Sequence, residues 1–363
     1  MGLRTQLKPQ GNEFTNTATA FLKAYLIAEI VNGIALQKVP PAKWLGTNVI
    51  LWGIATACTA AAKNHRTLLI ARISLGIFEA AVAPSLMLIS SDWYTKPEAT
   101  PRFSIWYAGL GVGQIIGGIV SHGFQQVQKS SSFAGWKIMF VALGVITVII
   151  GFATFVLLPD TPMQARFLSE PEKVALLKHF AINQTGIENK HIKIKHVLEI
   201  LTDVQLWLLV LLTILISTSS GVITTYSVTL INTFRFSPPD SALLNMPSGI
   251  VSIASTLIIS FSIRYTSYRW AYVIGCCVPG VLGGSLMSFA PKSDRAVQLT
   301  GIYLVNTITA TLSVIFQWTA SNVAGHTKRV ISMRSLPEAS ASVISLVYKL
   351  FDRETRQPTS QPK

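Results

Sequence analysis

Long hydrophobic runs, separated by short polar connections, repeat along this chain. The nine runs cover approximately residues 18–36, 44–62, 67–90, 103–123, 136–158, 206–231, 242–262, 270–290 and 298–320. Because a helix needs about 20 apolar residues to cross the hydrocarbon core of a bilayer, each run predicts one membrane-spanning helix. The pattern therefore predicts an all-α integral membrane protein built as a multi-span helical bundle.

One polar connection is much longer than the others. It runs from Pro159 to about residue 204, after five runs and before four. Within it, Ser169 and Glu172 have the spacing of a capping box, with a proline in the first turn, so a short helix is predicted to begin there. The predicted organisation is an N-terminal bundle at 1–158, a cytosolic central loop at 159–204, a C-terminal bundle at 205–325 and a divergent polar tail at 326–363.

The third run contains two charged residues, Arg72 and Glu79. Each costs roughly 3 kcal/mol near the centre of a spanning helix. The eleven Leu, Ile, Phe and Val residues between Thr67 and Ser90 contribute only roughly 0.3 to 0.6 kcal/mol each. Since the two sums nearly cancel, both charged side chains are expected to face a protein interior or a water-filled cavity. They are seven residues apart, so they share one helical face at a separation of roughly 10 Å.

The fourth run is rich in glycine. Its glycines are Gly109, Gly111, Gly113, Gly117 and Gly118. Small residues four apart let a neighbouring helix backbone approach closely, so this run is predicted to be a packing helix. No strand precedes the glycines and no Lys-Ser/Thr follows them, which argues against a phosphate-binding loop.

Composition agrees with a membrane protein. The chain is 50% hydrophobic and 13% charged, with a mean hydropathy of +0.47. Soluble proteins carry about 25% charged residues. The net charge of +14 arises mostly in the connections, where lysine and arginine meet lipid headgroups, so it indicates a bilayer and not a nucleic acid as the partner. The loop charges leave the orientation open.

No pattern typical of an enzyme is present. The three cysteines lie inside apolar runs and the six histidines are scattered in loops or at the ends of runs. Neither arrangement suits a metal site, a disulfide framework or a nucleophile with its base. The sequence therefore predicts no enzyme activity, no metal and no cofactor.

Several motifs resemble one family. Arg72-Ile-Ser-Leu-Gly76 with Glu79 resembles the arginine motif in the fourth helix of the major facilitator superfamily, and Gly109-x-x-x-Gly113-Gln-x-x-Gly117-Gly118 is similar to its fifth-helix glycine pattern. Further motifs are similar to the fungal allantoate permeases, which are anion:cation symporters. These motifs are Gly76-Ile-Phe-Glu79 with Pro84, Trp93-Tyr94 with Glu98 and Arg102, Pro159-Asp-Thr-Pro162, Tyr226, Asn245-Met-Pro-Ser-Gly249, Arg269-Trp270, and Gln317-Trp318 to Arg329.

The resemblance implies twelve helices in two halves, alternating access by rocking of two bundles, and proton-coupled uptake of a small organic anion such as allantoate, nicotinate or another carboxylate. It also implies a monomer in the plasma membrane. The nine runs would then be helices 2 to 10. No helix 1 precedes the first run, and the likeness stops after Arg329. We therefore expect helices 1, 11 and 12 to be absent, and a truncated, non-transporting member of the same family is the alternative function.

Polar side chains in or near the runs are the candidates for the substrate or proton pathway. They are Glu29, Asn32, Arg72, Glu79, Gln114, Tyr226, Asn245 and Gln317. Arg72 either snorkels to a headgroup or pairs with Glu79 or an anionic substrate. Glu79 either carries a proton or makes a static helix-to-helix hydrogen bond. The others either contact substrate or hold helices together.

A second group of residues is predicted to act at a gate or in the cytosolic loops. It contains Glu98, Arg102, Lys328 and Arg329. Glu98 and Arg102 are four residues apart at the entry to a run, so they form either a gate latch or an ordinary helical ion pair of little energy.

Overall fold

The computed structural model describes a chain of helices. It covers residues 13–36, 38–94, 102, 104–127, 135–181, 204–234, 236–263, 268–291 and 294–322. The helices are α1 (Glu13–Ala35), α2 (Pro41–Thr59), α3 (His65–Glu79), α4 (Val82–Trp93), α5 (Gly109–Val127), α6 (Gly135–Leu157), α7 (Glu170–Ala181), α8 (Val204–Thr233), α9 (Pro238–Leu244), α10 (Met246–Ile263), α11 (Arg269–Phe289), α12 (Arg295–Val305) and α13 (Thr309–Asn322). Short 3₁₀ turns occupy Pro162–Gln164 and Asn306–Ile308. No strand occurs in these ranges.

Every one of the nine predicted runs carries helix. Seven segments are long and apolar enough to cross a membrane: Asn16–Ala35, His65–Ser90, Ser104–Phe124, Gly135–Leu157, Asp240–Ile263, Trp270–Phe289 and Arg295–Ile315. The other two runs form α2 and α8, and in α8 only Trp207–Ser219 counts as an apolar helix, of shorter length. The prediction of an all-α membrane bundle is confirmed. Helices suit a bilayer because they satisfy the hydrogen bonds of every backbone group internally, where no water is available.

Four of the membrane-length segments are interrupted, one of them at Ala108 within Ser104–Phe124. The break between α3 and α4 falls at residues 80–81, that between α9 and α10 at Asn245, and that between α12 and α13 at the 3₁₀ turn Asn306–Ile308. Pro84 explains the break between α3 and α4, since it has no N–H to donate to the carbonyl of Ala80. The hydrophobic pattern shows a span but not the interruptions within it.

The chain divides into two compact units. Of the described residues, those within 1–85 and 131–158 form unit 1, and those within 86–130 and 159–322 form unit 2. This grouping follows contacts in space, and it places α5 with the helices that come after the central loop. The sequential division into two bundles at residues 158 and 205 stays a prediction.

In unit 1, α2 and α6 pack antiparallel through glycines. A Cβ at Gly46 would lie 2.7 Å from the Cα of Phe155, and one at Gly144 would lie 2.6 Å from the amide nitrogen of Ala57. Gly53 and Gly151 are equally tight, with backbone atoms at 2.7 Å. Each helix places its two glycines seven residues apart, on one face, so the two backbones meet over two helical turns.

In unit 2, the segment Arg295–Ile315, formed by α12 and the start of α13, is the most enclosed of the membrane-length segments, with 67% of its most apolar 18-residue window buried. Its side chains share an apolar cluster with α8 that includes Leu209, Ile216, Ile308 and Ile315. A helix so enclosed by protein is the centre of its unit.

The glycines of α5 pack less uniformly than their spacing predicted. A Cβ at Gly111 would lie 2.6 Å from the carbonyl oxygen of Gly249, and one at Gly118 would lie 2.8 Å from that of Ala242. At Gly109, Gly113 and Gly117 a Cβ would meet no described atom within 4 Å. The expectation of close helix packing is confirmed for two glycines seven apart and is wrong for the set spaced four apart.

The predicted helix in the central loop is present as α7. Ser169 precedes it, and its backbone amide and hydroxyl each donate to Glu172 Oε2 at 2.8 Å. Both hydrogen bonds lower the pKa of the exposed Glu172 carboxyl, and the bond from the backbone amide has the larger effect. The prediction of a capped helix start is confirmed.

This cap makes the start of α7 sensitive to acid. Because the folded carboxyl has the lower pKa, the bonds stabilise the helix start above the usual glutamate pKa of about 4.3, and this stabilisation is lost as pH falls through the folded value. Hydrogen exchange at residues 169–173, corrected for the intrinsic rate, should therefore accelerate on acidification. Glu172→Gln should remove this pH dependence, and the neighbouring Glu170→Gln should keep it. Protection that is independent of pH in the unaltered chain would contradict the prediction.

Candidate functional site

The first candidate site lies in unit 1, where α1 meets α3. A Cβ at Gly76 would lie 2.5 Å from the carbonyl oxygen of Phe21 and 3.2 Å from the amide nitrogen of Tyr25. No side chain fits between the two helices at this level. The glycine therefore fixes which residues of α1 and α3 face each other.

Arg72 and Glu79 flank this contact on the same face of α3. Arg72 lies four residues before Gly76 and Glu79 lies three after it, which is the spacing of neighbours on one helical stripe. Both side chains are partly buried, and the Arg72 charge acts on the Glu79 carboxyl. The predicted common face is present, and it is turned toward α1.

The facing stripe of α1 is formed by Tyr25, Glu29 and Asn32. The Glu29 side chain is 1% exposed and that of Asn32 is 4% exposed. The Glu29 and Glu79 carboxyls both act electrostatically on the Tyr25 hydroxyl. Asn32 Oδ1 accepts a hydrogen bond of 3.0 Å from Trp44 Nε1 at the start of α2. Unit 1 thus brings one cationic and two acidic side chains to the contact between α1 and α3.

Glu79 is the last residue of α3, directly before the break in this segment. The amide of Ala80 still donates to the carbonyl of Gly76, and the next helical bond runs from the Ser85 amide to the carbonyl of Ala81. Backbone irregularity at membrane depth is tolerated where it is enclosed by protein or lines a wet cavity. The carboxyl therefore lies where the backbone is already interrupted.

Two kinds of chemistry are available to these side chains, anion binding and proton transfer. Ionisable residues inside a membrane segment are expensive and are kept where they serve a pathway. An arginine can bind a carboxylate through paired hydrogen bonds, and a glutamate can take up and release a proton. The described residues contain no group of three His, Cys, Asp or Glu suited to a metal ion.

The remaining candidates belong to unit 2 or to residues outside the described ranges. Gln114 lies on α5 opposite Gly249, whose Cβ position is 3.2 Å from Gln114 Cβ, and Asn245 lies at the break between α9 and α10. Tyr226 and Gln317 lie on α8 and α13, but their side chains are outside the description. Glu98, Lys328 and Arg329 also fall outside it.

Arg102 has a partner other than the one its spacing suggested. Its guanidinium carbon lies 3.7 Å from the centroid of the Tyr94 ring. The adjacent Trp93 ring stacks on Phe167 of the central loop, with centroids 6.1 Å apart. A gate role for Arg102 with Glu98 stays a prediction.

Sequence reasoning missed Tyr25, Trp44 and the α2–α6 glycines. Tyr25 lies four residues before Glu29, so helical spacing alone was enough to find it. The seven-residue spacing of Gly46 and Gly53 was also readable. Nothing local to Trp44 indicates that its indole reaches Asn32, since this contact depends on how α2 folds back on α1.

These features define a multi-pass helical membrane protein with a polar interior. The chain belongs to the Major Facilitator Superfamily, whose profile matches residues 2–346. The resemblance noted in the sequence is thereby confirmed.

Curated relatives of the chain are transporters. It is 37% identical over 335 residues to Thiamine pathway transporter THI73 of Saccharomyces cerevisiae, covering 91% of this chain and 63% of that protein. It is 29% identical over 357 residues to Allantoate permease of the same yeast, covering 94% of this chain and 66% of that protein. The chain thus spans less than two thirds of the length of the first relative.

A solved structure shows the same fold. The proton:xylose symporter XylE matches with a TM-score of 0.68 at 15% identity, covering 95% of this chain and 80% of that chain. Similarity at this identity establishes fold and not substrate.

Proposed function

We propose that the chain acts in secondary active transport, as a symporter of protons with a small organic anion, an allantoate- or nicotinate-like carboxylate. The observation that carries the proposal is the shared face of Arg72, Gly76 and Glu79, which packs against the stripe of α1 that contains the buried Glu29. In this proposal Arg72 binds the carboxylate of the substrate and Glu79 carries the proton. The relative named Allantoate permease supports an anionic substrate, and the plasma membrane is the proposed location of a monomeric carrier.

The other polar residues have supporting roles in this proposal. Glu29 and Asn32 line the same interior as Arg72 and Glu79. In unit 2, the proposed substrate contacts are Gln114, Tyr226, Asn245 and Gln317. Glu98, Arg102, Lys328 and Arg329 are proposed to act at the cytosolic gate. No enzymatic step is proposed, which agrees with relatives named as transporters and permeases.

Uptake by cells expressing this chain tests the proposal. A panel of radiolabelled allantoate, nicotinate, other small carboxylates and thiamine, offered with and without an inward proton gradient, should show gradient-dependent accumulation of at least one carboxylate. Uptake of thiamine alone would overturn the anionic substrate. No uptake of any compound would favour the non-transporting alternative.

Arg72→Gln should weaken the apparent affinity for that carboxylate by about tenfold or more, because a hydrogen bond to a charged group is worth roughly 1.5–3 kcal/mol. Arg166→Gln is the matched control, since Arg166 is exposed in the central loop. Equal apparent affinities in the two variants would remove Arg72 from the substrate site.

A further inference from the structure

Unit 2 contains a polar seam between α5 and α10, next to Gln114 and Asn245. The two helices run antiparallel. Gly111 lies opposite Gly249, and Gly118 lies opposite Ala242, which comes just before α10 begins. The Ser104 hydroxyl, in the turn preceding α5, hydrogen-bonds that of Ser260 at the other end of α10. The contact therefore extends from the start of α10 to its last turn.

The α10 side of this seam carries small polar residues at helical spacing. Ser248, Ser252, Thr256 and Ser260 are at most 2% exposed. Thr256 donates to the carbonyl of Ser252 at 2.7 Å, so its hydroxyl is satisfied within the helix. Ser248 differs, because its buried hydroxyl has no hydrogen-bond partner in the part of the chain that the structure describes.

Near Ser248 along the two helices, two more buried oxygens that can accept hydrogen bonds also have no partner among the described residues. They are the side-chain carbonyl oxygens Gln114 Oε1 and Asn245 Oδ1. Asn245 lies four residues before Gly249 and Ser248 lies directly before it. Gln114 Cβ is 3.2 Å from the Cβ position of Gly249. All three unpartnered oxygens therefore belong to side chains within one helical turn of the closest backbone contact.

The break between α9 and α10, next to these residues, is held in place by a hydrogen bond from α12. The Tyr303 hydroxyl on α12 donates to the carbonyl oxygen of Leu244 at 2.8 Å, directly before Asn245. This bond fixes the end of α9, so Asn245 is presented at a defined position. Tyr303 acts as a positioning residue for the cluster.

From this clustering we propose that Gln114, Asn245 and Ser248 form a binding site for an uncharged N–H donor, such as the primary amide group of a solute. Buried polar atoms in proteins are almost always hydrogen-bonded, and two carbonyl oxygens with a hydroxyl call for donors. The amide nitrogen of a solute supplies two N–H groups and no charge. The three oxygens are not exposed, so the donor enters as α5 and α10 separate. The proposal rests on the proposed transport function and adds a group that the solute must carry.

A matched pair of acids tests the site on purified chain in lipid nanodiscs. Succinamate and levulinate have the same carboxylate and the same length, and differ only in an amide NH₂ in place of a methyl group. Sites built around hydrogen bonds reject analogues that lack the donor, so the dissociation constant for succinamate should be lower by about tenfold or more. Equal constants would overturn the amide site and leave anion binding intact.

Single substitutions test whether the preference for succinamate over levulinate depends on Gln114, Asn245 and Ser248. Gln114→Met, Asn245→Leu and Ser248→Ala each remove one oxygen at similar volume, and each should reduce the ratio of the two dissociation constants. Thr256→Val is the control on the same face, because its hydroxyl bonds within the helix, and it should keep the ratio. An unchanged ratio in all three variants would overturn the assignment. Should Asn245→Leu not fold, Ser248→Ala, which deletes one atom, decides.

A neutral pair separates this site from the anion site. Butanamide and 2-pentanone differ by the same NH₂-to-methyl exchange and carry no carboxylate. If neither acid binds, saturation-transfer NMR with this pair gives the answer. A preference for butanamide that the Ser248→Ala variant loses supports the amide site although the anion proposal has failed, and no preference overturns the amide site.

Discussion

Glu79→Gln is expected to abolish proton-driven accumulation while leaving the protein folded. Glutamine has the shape of the protonated acid and can make the same helix-to-helix hydrogen bonds, but it has no proton to release. For each coupled proton, a gradient of one pH unit supplies about 1.4 kcal/mol, which is about tenfold accumulation of substrate. In proteoliposomes, the ratio of internal to external carboxylate should therefore fall from about ten to about one per pH unit.

The location of Glu79 explains why the effect should be large. The carboxyl lies at the broken point of a membrane segment and feels the Arg72 charge two helical turns away. A carboxyl held there for packing alone would tolerate glutamine. Glu170→Gln is the control, because Glu170 pairs with Lys173 on the surface of α7 at 2.9 Å. Normal proton coupling in Glu79→Gln would assign the residue to static packing and would remove the proton role.

The helices were predictable because lipid leaves few alternatives. A segment such as Gly135–Leu157 has a mean hydropathy of 2.7 in its most apolar window, and a backbone in hydrocarbon must satisfy its own hydrogen bonds. The start of α7 was predictable for a local reason, since Ser169 and Glu172 bond each other across three residues. The break at Ala80 depends on Pro84, whose effect a hydropathy pattern does not record.

The candidate site was predictable in part. The cost of burying charge in lipid was enough to place Arg72 and Glu79 on an inward face. It was not enough to give their neighbours, because the position of α1 against α3 is set by the contact of Gly76 with Phe21. That contact joins residues more than 50 positions apart, and no local spacing encodes it.

The glycines show most clearly that sequence spacing alone does not predict which helices pack closely. Gly113 and Gly144 both lie in membrane-length helices with other small residues nearby, and sequence spacing favoured Gly113 as the packing residue. In the structure, Gly113 is exposed with no described atom within 4 Å of its Cβ position, whereas Gly144 touches α2 at 2.6 Å. The two positions should therefore respond in opposite directions to the same substitution.

Gly144→Ala is expected to destabilise the chain strongly. Its methyl group would lie 2.6 Å from the Ala57 amide nitrogen and 2.7 Å from the Gly53 carbonyl oxygen. Both are backbone atoms, so α2 and α6 would have to move apart, and overpacking of this kind costs about 1–3 kcal/mol. The midpoint of thermal unfolding in one detergent, followed by tryptophan fluorescence, should fall, together with the yield of monodisperse protein.

Gly113→Ala is the matched control, and its expected effect has the opposite sign. Alanine at an unobstructed helical position recovers about 0.5–1 kcal/mol of backbone entropy relative to glycine, so the unfolding midpoint should stay constant or rise. Gly151→Ala, whose methyl group would lie 2.7 Å from the Ile50 amide nitrogen, should repeat the loss seen at Gly144. All three changes add the same methyl group to a helix, so only the approach of a second backbone distinguishes them. Equal midpoints for Gly144→Ala and Gly113→Ala would show that α2 and α6 do not pack through these glycines.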